Sequence, residues 1–309
     1  MATQSRYRER MRFLMLCVFL ASVLRAQEIP GQTPPTPAPD QTPSSGAPDE
    51  KTFAALHKLK QEPSPLPTGT MVTIGDQKHY LAMPKDKKAP LPAVLLIHEW
   101  WGLNDHIKHW ADRLAAEGYA TLAVDLYGGK VGTTPEEAQA LMKAVDAEQA
   151  KAVMKQAFDY LGADTNIQAT KRASLGWCFG GGVSLKLALA EPRLDACVLY
   201  YGQLVTDATK LQAITAPVLG IFGTQDRSIP KETVDAFEAA MQKAGKQCRV
   251  QRYDAKHAFA NPSSASYDTA NAAKAWAEVR EFLREHLLPK PTAPTPQSPT
   301  PMPPGKAPK

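Results

Sequence analysis

The middle of this chain is poor in proline, has no excess of charge of either sign, and carries too few cysteines to be held by disulfides. Of the 27 prolines among 309 residues, eight fall in the 221 residues 68–288, ten lie between Pro30 and Pro67, and nine between Pro289 and Pro308. Proline fixes φ and removes a backbone donor, so the Pro/Thr/Ala/Ser-rich flanks cannot build a packed core. The middle reads as one domain, large enough to bury most of its chain without staples. It holds 25 Lys/Arg and 25 Asp/Glu; the formal charge of +5 comes from the flanks, with Arg6, Arg8, Arg10 and Arg12 near the start. Without net positive charge the domain lacks the electrostatic footprint of a nucleic-acid binder, and no nucleic-acid partner is expected.

A membrane-crossing run is also missing. Phe13–Leu24 (FLMLCVFLASVL) is an apolar run of twelve residues, where a spanning helix needs roughly 20. Preceded by arginines and followed by Leu24-Arg25-Ala26 before Gln27, it reads as a secretory signal, residues 1–26, cut near Ala26. That predicts a secreted or periplasmic protein with no stable membrane span; an uncleaved anchor is the alternative. Cleavage would leave Cys178, Cys197 and Cys248, an odd number, so at least one thiol stays free or pairs outside the chain. Cys197 and Cys248 sit in apolar, strand-like runs, as buried packing thiols do. Residues 27–67 read as a disordered tether, within which Lys51–Gln61 has the pattern of a short amphipathic helix, and residues 289–309 as an extended tail.

What is present between the flanks is alternation. Strands are expected at Thr70–Ile74, Tyr80–Met83, Ala93–His98, Tyr119–Val124, Ala173–Trp177, Leu194–Tyr200, Val218–Phe222 and Arg249–Tyr253. Helical periods cover Asp105–Glu117, Thr134–Leu161, Val183–Ala190, Val234–Ala244 and Ala270–Leu287. Continuous apolar runs such as AVLLI suit strands covered on both faces, and the alternation predicts an α/β domain with a mostly parallel sheet.

The segment that carries chemistry is Gly176-Trp177-Cys178-Phe179-Gly180-Gly181, a nucleophile elbow with cysteine in the serine place. Its glycines make room for a sharp strand-to-helix turn, and the helix N-terminus beyond it offers N–H groups to developing negative charge. Elbow enzymes run nucleophile, acid, histidine along the chain. Here Asp226 (in GTQD) and His257 (in KHAF) follow Cys178 in that order, each after an apolar strand. His257 would take the thiol proton and Asp226 would orient its ring.

With these positions in hand, the sequence resembles the dienelactone hydrolases. His98-Glu99-Trp100-Trp101-Gly102-Leu103-Asn104, Asp125-Leu126-Tyr127, the cysteine elbow and the Asp226 and His257 segments carry the resemblance, which covers essentially residues 70–287. It implies an α/β-hydrolase fold and a monomeric, cofactor-free hydrolase of lactones or esters. It also implies a resting thiol held by Glu99, and an oxyanion hole at the N–H groups of Trp100 and Phe179; as residues, Trp100 and Trp101 read as core or pocket-wall aromatics, with Trp101 a candidate substrate contact. Family members that open dienelactone resemble one another in two arginines that grip the substrate carboxylate. Here those places hold Gly128-Gly129-Lys130 and Asn261, and Arg227 is the remaining cation beside the site. Neutral substrates are therefore expected to be preferred, since neither lysine nor asparagine supplies the planar fork of arginine.

Two other classes stay open. His98, Glu99, His106 and His109 cluster in sequence and could ligate a metal, although an H-E-x-x-H helix would need histidine where Gly102 stands. A catalytically silent envelope-binding module with Pro-rich spacers is the other.

Overall fold

A computed structural model describes residues 49–55 and 66–289. The signal segment, most of the tether and nearly all of the tail lie outside the described residues. Eight strands form one sheet: β1 Thr70–Ile74, β2 Gln77–Ala82, β3 Ala93–Ile97, β4 Ala120–Val124, β5 Arg172–Trp177, β6 Ala196–Tyr200, β7 Val218–Gly223 and β8 Cys248–Tyr253. Their order is β1-β2-β4-β3-β5-β6-β7-β8. The β1–β2 and β2–β4 pairs are antiparallel, and every pair from β4–β3 to β7–β8 is parallel.

Helices cover both faces: α1 Glu50–Ala55, α2 Asp105–Ala116, α3 Pro135–Lys143, α4 Ala147–Ala163, α5 Phe179–Ala190, α6 Ala208–Leu211, α7 Lys231–Lys243 and α8 Thr269–Leu287. Successive strand residues point to opposite faces, so β3 sends Val94 and Leu96 to one core and Ala93, Leu95 and Ile97 to the other. The first core is closed by α2 and α8 through Trp110 and Trp276, the second by α4, α5 and α7 through Phe158, Leu185 and Phe237. Double cover explains why β3, β4, β6 and β7 are buried at every residue.

Three details differ from the sequence expectation. The helical stretch Thr134–Leu161 is two helices. Thr134 caps the first as expected, accepting from Glu137 N at 3.3 Å, but Asp146 starts a second by accepting from Gln149 N at 2.8 Å. The elbow helix begins at Phe179, not Val183, so Gly180, Gly181 and Gly182 are helical. Glycine is a weak helix former, yet it is required here: a Cβ on Gly180 would run into the carbonyls of Ile97 and His98. Third, the helix expected at Lys51–Gln61 spans Glu50–Ala55 and is packed into the domain through Phe53. The rest of that stretch lies outside the described residues.

Candidate active site

The C-terminal ends of neighbouring parallel strands hold every side chain the sequence singled out for catalysis. Cys178 follows β5 with φ 53° and ψ −115° and is the N-cap of α5. That left-handed φ is unfavourable for a residue with a Cβ, and it projects the thiol out of the turn between strand and helix. The conformation is held from below: Cys178 N–H donates to Tyr200 O at 3.0 Å and Gly182 N–H to Cys178 O at 3.2 Å. The thiol is half-buried, while Cys197 is fully buried and the Cys248 thiol is pushed up to about 12, mainly by desolvation.

Asp226 follows β7 and His257 follows β8, adjacent strands whose last registered pair is Gly223 and Tyr253. His257 Nδ1 meets Asp226 Oδ2 at 2.7 Å, so Nδ1–H donates to the carboxylate and Nε2 is the nitrogen left for the sulfur. Burial alone would lower the His257 pKa. Hydrogen bonds to Asp226 and to the Cys178 sulfur, with the negative charge on each, outweigh it and push the value up to about 10. Asp226 Oδ1 accepts from Ser228 N at 2.7 Å and Ile229 N at 3.1 Å. Desolvation would raise its pKa, but the His257 contact and these backbone donors prevail, and the carboxyl lies below its ordinary range.

Glu99 follows β3, which is in parallel register with β5 through Ile97 and Gly176. Counting on from that pair puts Glu99 level with Cys178 and Trp100 level with Phe179. Phe179 N–H is in the first turn of α5, where no intrahelical acceptor exists. The turn after β3 closes through Gly102 N–H to Glu99 O at 3.2 Å, and among the described residues no acceptor takes the Trp100 N–H. Both N–H groups thus lie at the C-terminal ends of β3 and β5, on the side of the elbow away from His257's strand.

The Glu99 carboxylate is held differently from the thiol clamp implied by the resemblance. Among the described residues its partners are Asn261, whose Nδ2 donates to Oε2, and Tyr201, whose Oη lies 3.5 Å from Oε1. Cys178 instead faces His257. Burial raises the Glu99 pKa, only partly offset by the His257 charge and the two hydrogen bonds, to about 7.

Tyr201 was not singled out by sequence. It follows β6 with φ 35°, and its ring lies 5.0 Å from that of His257, between the histidine and Glu99. The only cue was position: a polar aromatic at the end of the apolar strand between the nucleophile and acid strands.

A scan against protein-family models matches residues 78–287 to the dienelactone hydrolase family. The chain belongs to that family. It is 30% identical over 223 residues to the protein named "Putative carboxymethylenebutenolidase" of Escherichia coli (strain K12), covering 67% of this chain and 82% of the relative. To the protein of the same name from Saccharolobus solfataricus it is 32% identical, covering 66% and 92%. Among solved structures it is similar to a dienelactone hydrolase-like promiscuous phosphotriesterase from metagenomic libraries, with 27% identity, TM-score 0.66, and cover of 71% of this chain and 98% of that one. The fold is the α/β-hydrolase fold, and the protein is a dienelactone hydrolase-like hydrolase of lactones or esters.

Within this member of the family the remaining candidates separate. Asn261 has both polar ends engaged, Nδ2 with Glu99 and Oδ1 with Ser263 N at 2.8 Å. Arg227 is exposed, with no ion pair among the described residues. Lys130 is exposed too and borders a cavity of about 230 Å³ between the β4 loop and the α3–α4 turn, lined also by Tyr127 and Gln149. Neither Cys178, Glu99 nor His257 lines it. The loop holding Lys130 is tied to Trp101 through Gly132 N–H to Trp101 O at 2.9 Å, and the Trp101 ring packs 4.9 Å from that of Trp100.

The metal cluster is not assembled. His98 has both nitrogens committed to backbone, Nδ1 to Glu99 O at 2.6 Å and Nε2 to Leu126 N at 3.2 Å. Burial lowers its pKa, so it is a neutral structural strut. His106 pairs with Ser263, His109 is buried in α2, and Glu99 is engaged as above. A metal would have to displace backbone contacts at His98 to gain its first ligand.

Proposed function

We propose that the protein is an exported esterase or lactonase that works through Cys178, His257 and Asp226. Support comes above all from the 2.7 Å bond between His257 and Asp226, made by the histidine whose other partner is the strained Cys178. In the first half-reaction Cys178 Sγ bonds to the substrate carbonyl carbon while its proton passes to His257 Nε2. The carbonyl π electrons move to oxygen, and the N–H groups of Trp100 and Phe179 hold the oxyanion. Collapse breaks the C–O bond, and the leaving alkoxide takes the proton from His257. Water then attacks the thioester and gives a proton to His257; collapse releases the acid and returns the sulfur with its proton. Asp226 holds the imidazole tautomer throughout and stabilises its charged form.

Neutral substrates fit this site better than acidic ones. The group in the place of the second family arginine is Asn261, uncharged and bonded to Glu99, while Arg227 and Lys130 stand exposed. The opening segment 1–26 has the composition of a cleaved signal, and a free catalytic thiol outside the cytoplasm would need the half-buried setting that Cys178 has.

The deciding experiment assays purified protein on a panel of neutral aryl esters, neutral lactones and carboxylate-bearing lactones, with Cys178→Ala beside it. Turnover lost in that variant, and wild-type activity lost when one alkylated thiol per chain is found at Cys178, are the expected results. Activity that survives either change removes the nucleophile; no turnover of any ester or lactone favours a binding module. N-terminal sequencing of protein recovered outside the cytoplasm should begin near Gln27, and an intact Met1 on membrane-bound protein would favour an anchor.

A further inference from the structure

Helix α1 lies outside the residues that match the family model, yet it is wired to both halves of the candidate site. Phe53 is fully buried; its ring lies 4.3 Å from Trp110, and the Arg113 guanidinium sits 4.3 Å from the Phe53 centroid. Glu50 Oε2 accepts from Arg113 Nη1 at 3.0 Å, with side chains 9% and 3% exposed. Glu50 Oε1 accepts from Tyr267 Oη at 2.7 Å. One carboxylate therefore joins α2, through Arg113, to the loop that runs from His257 to α8, through Tyr267.

Both connections continue to the chemistry. On α2, Trp110 packs 4.8 Å from Trp177, the residue before Cys178. In the loop, Asn261 holds Glu99, and Ser263 bonds to His106 in the first turn of α2. His106 and Arg113 are seven residues apart, hence on one face of the helix, two turns along. The loop is thus fastened to α2 at two points, and Glu50 makes the second.

We propose that Glu50 is a positioning residue and that the N-terminal segment acts as a strap, held down by Phe53, that fixes the loop behind His257 against the helix behind Cys178. The inference rests on the reading of Cys178 and His257 as nucleophile and base. A carboxylate with both oxygens bonded to different elements sets their separation, and small displacements of a catalytic group cost large factors in rate. Tyr267 passes that constraint to the loop. Exposed Lys51 and Thr52, on the outer side of α1, have no part in it.

The test uses the full chain and a neutral aryl ester, with thermal melting of each variant. Glu50→Gln keeps the shape and removes the charge; Tyr267→Phe removes one hydroxyl. Each should lower kcat about tenfold with KM within about twofold, and the double variant should lose little more than the worse single one, because both cut one connection. Arg280→Gln, which breaks the 2.7 Å ion pair between α8 and Glu117 beyond the end of α2, should lower the melting temperature without moving kcat. Unchanged kcat in Glu50→Gln and Tyr267→Phe overturns the strap, as does a kcat loss in Arg280→Gln that scales with its melting temperature in the same way. Failure of the underlying reading appears separately, as ester turnover that persists in Cys178→Ala.

Discussion

Asp226 and Glu99 end strands of the same sheet, are 4% and 6% exposed, and both act electrostatically on His257. Yet their protonation is driven in opposite directions. Burial pushes up both carboxyls, more strongly at the deeper-set Glu99, and the donors that oppose it differ as well. Asp226 closes a turn whose backbone N–H groups, at Ser228 and Ile229, both donate to one oxygen while His257 takes the other. Among the described residues Glu99 has only side-chain donors, one amide and one hydroxyl at 3.5 Å. Backbone donors are fixed by the turn and cannot rotate away, so Asp226 is a permanent charge. Glu99, with a pKa of about 7, changes charge in the range where the enzyme would work. A pair of carboxylates with separated pKa values is how one site obtains a constant orienting charge and a titrating one.

The largest expected effect follows from the constant charge. Asp226→Asn should lower kcat by about three to four orders of magnitude, because the amide can offer His257 the wrong tautomeric partner and no charge. Glu99→Gln should cost about tenfold or less in kcat, the loss of a nearby charge without a change of tautomer. Steady-state kinetics on a neutral ester at pH 7 measures both. Equal losses would break the distinction between the two carboxylates.

The second effect is on stability and has a defined sign. Folded Glu99 keeps its proton up to about pH 7, against 4.5 as its ordinary value. Between those values the folded state binds more protons than the unfolded chain, so stability falls as pH rises through the window. The full difference is roughly 3 kcal/mol at most. Glu99→Gln carries no such penalty and should melt higher than wild type at pH 8, with the gap closing toward pH 4.5. Asp226 has the opposite sign: its lowered pKa contributes stability above the unfolded value that is lost as pH falls through the folded one. Asp226→Asn should therefore lose stability at neutral pH. Melting temperatures of both variants from pH 4 to 8 check the pair, and parallel curves would contradict it.

How legible these features were in the sequence follows the same division between local and long-range structure. The elbow, the strand ends and the order Cys178, Asp226, His257 could be read because each depends on a short segment: an apolar run, then a glycine turn or a polar residue. Asp226 is anchored by residues two and three positions away. Glu99 is anchored by Asn261, 162 residues on, and by Tyr201, 102 residues on. No local pattern encodes those approaches. The docking of α1 was hidden likewise, since Phe53 gains its meaning only from Trp110 and Arg113. The three helical glycines after Cys178 misled in the other direction. Local propensity makes them a turn, while the carbonyls of Ile97, His98 and Tyr200, brought close by the sheet, leave no room for a Cβ at the first two, Gly180 and Gly181.

The smallest effect sharpens the role of Asn261. Arginine at that position brings a cation beside Glu99 and within reach of a substrate carboxylate, and a charge-assisted hydrogen bond to that carboxylate is worth roughly 1.5–3 kcal/mol, or about tenfold to a hundredfold in binding. Asn261→Arg should thus raise kcat/KM for a carboxylate-bearing lactone relative to a neutral ester by about tenfold or more. The same cation should hold Glu99 ionised, so any limb of the pH profile near 7 moves to lower pH. The two readouts separate two fates of the new side chain. If the limb moves and the substrate ratio does not, Glu99 captures the arginine entirely and Asn261 is a positioning residue alone. If the ratio moves and the limb does not, the arginine faces substrate, and Glu99 keeps its raised pKa through burial. Should the wild-type enzyme already favour the acidic lactone a hundredfold over neutral esters, the exposed cations Lys130 and Arg227 would have to supply the recognition, and Lys130→Ala and Arg227→Ala would show which one does.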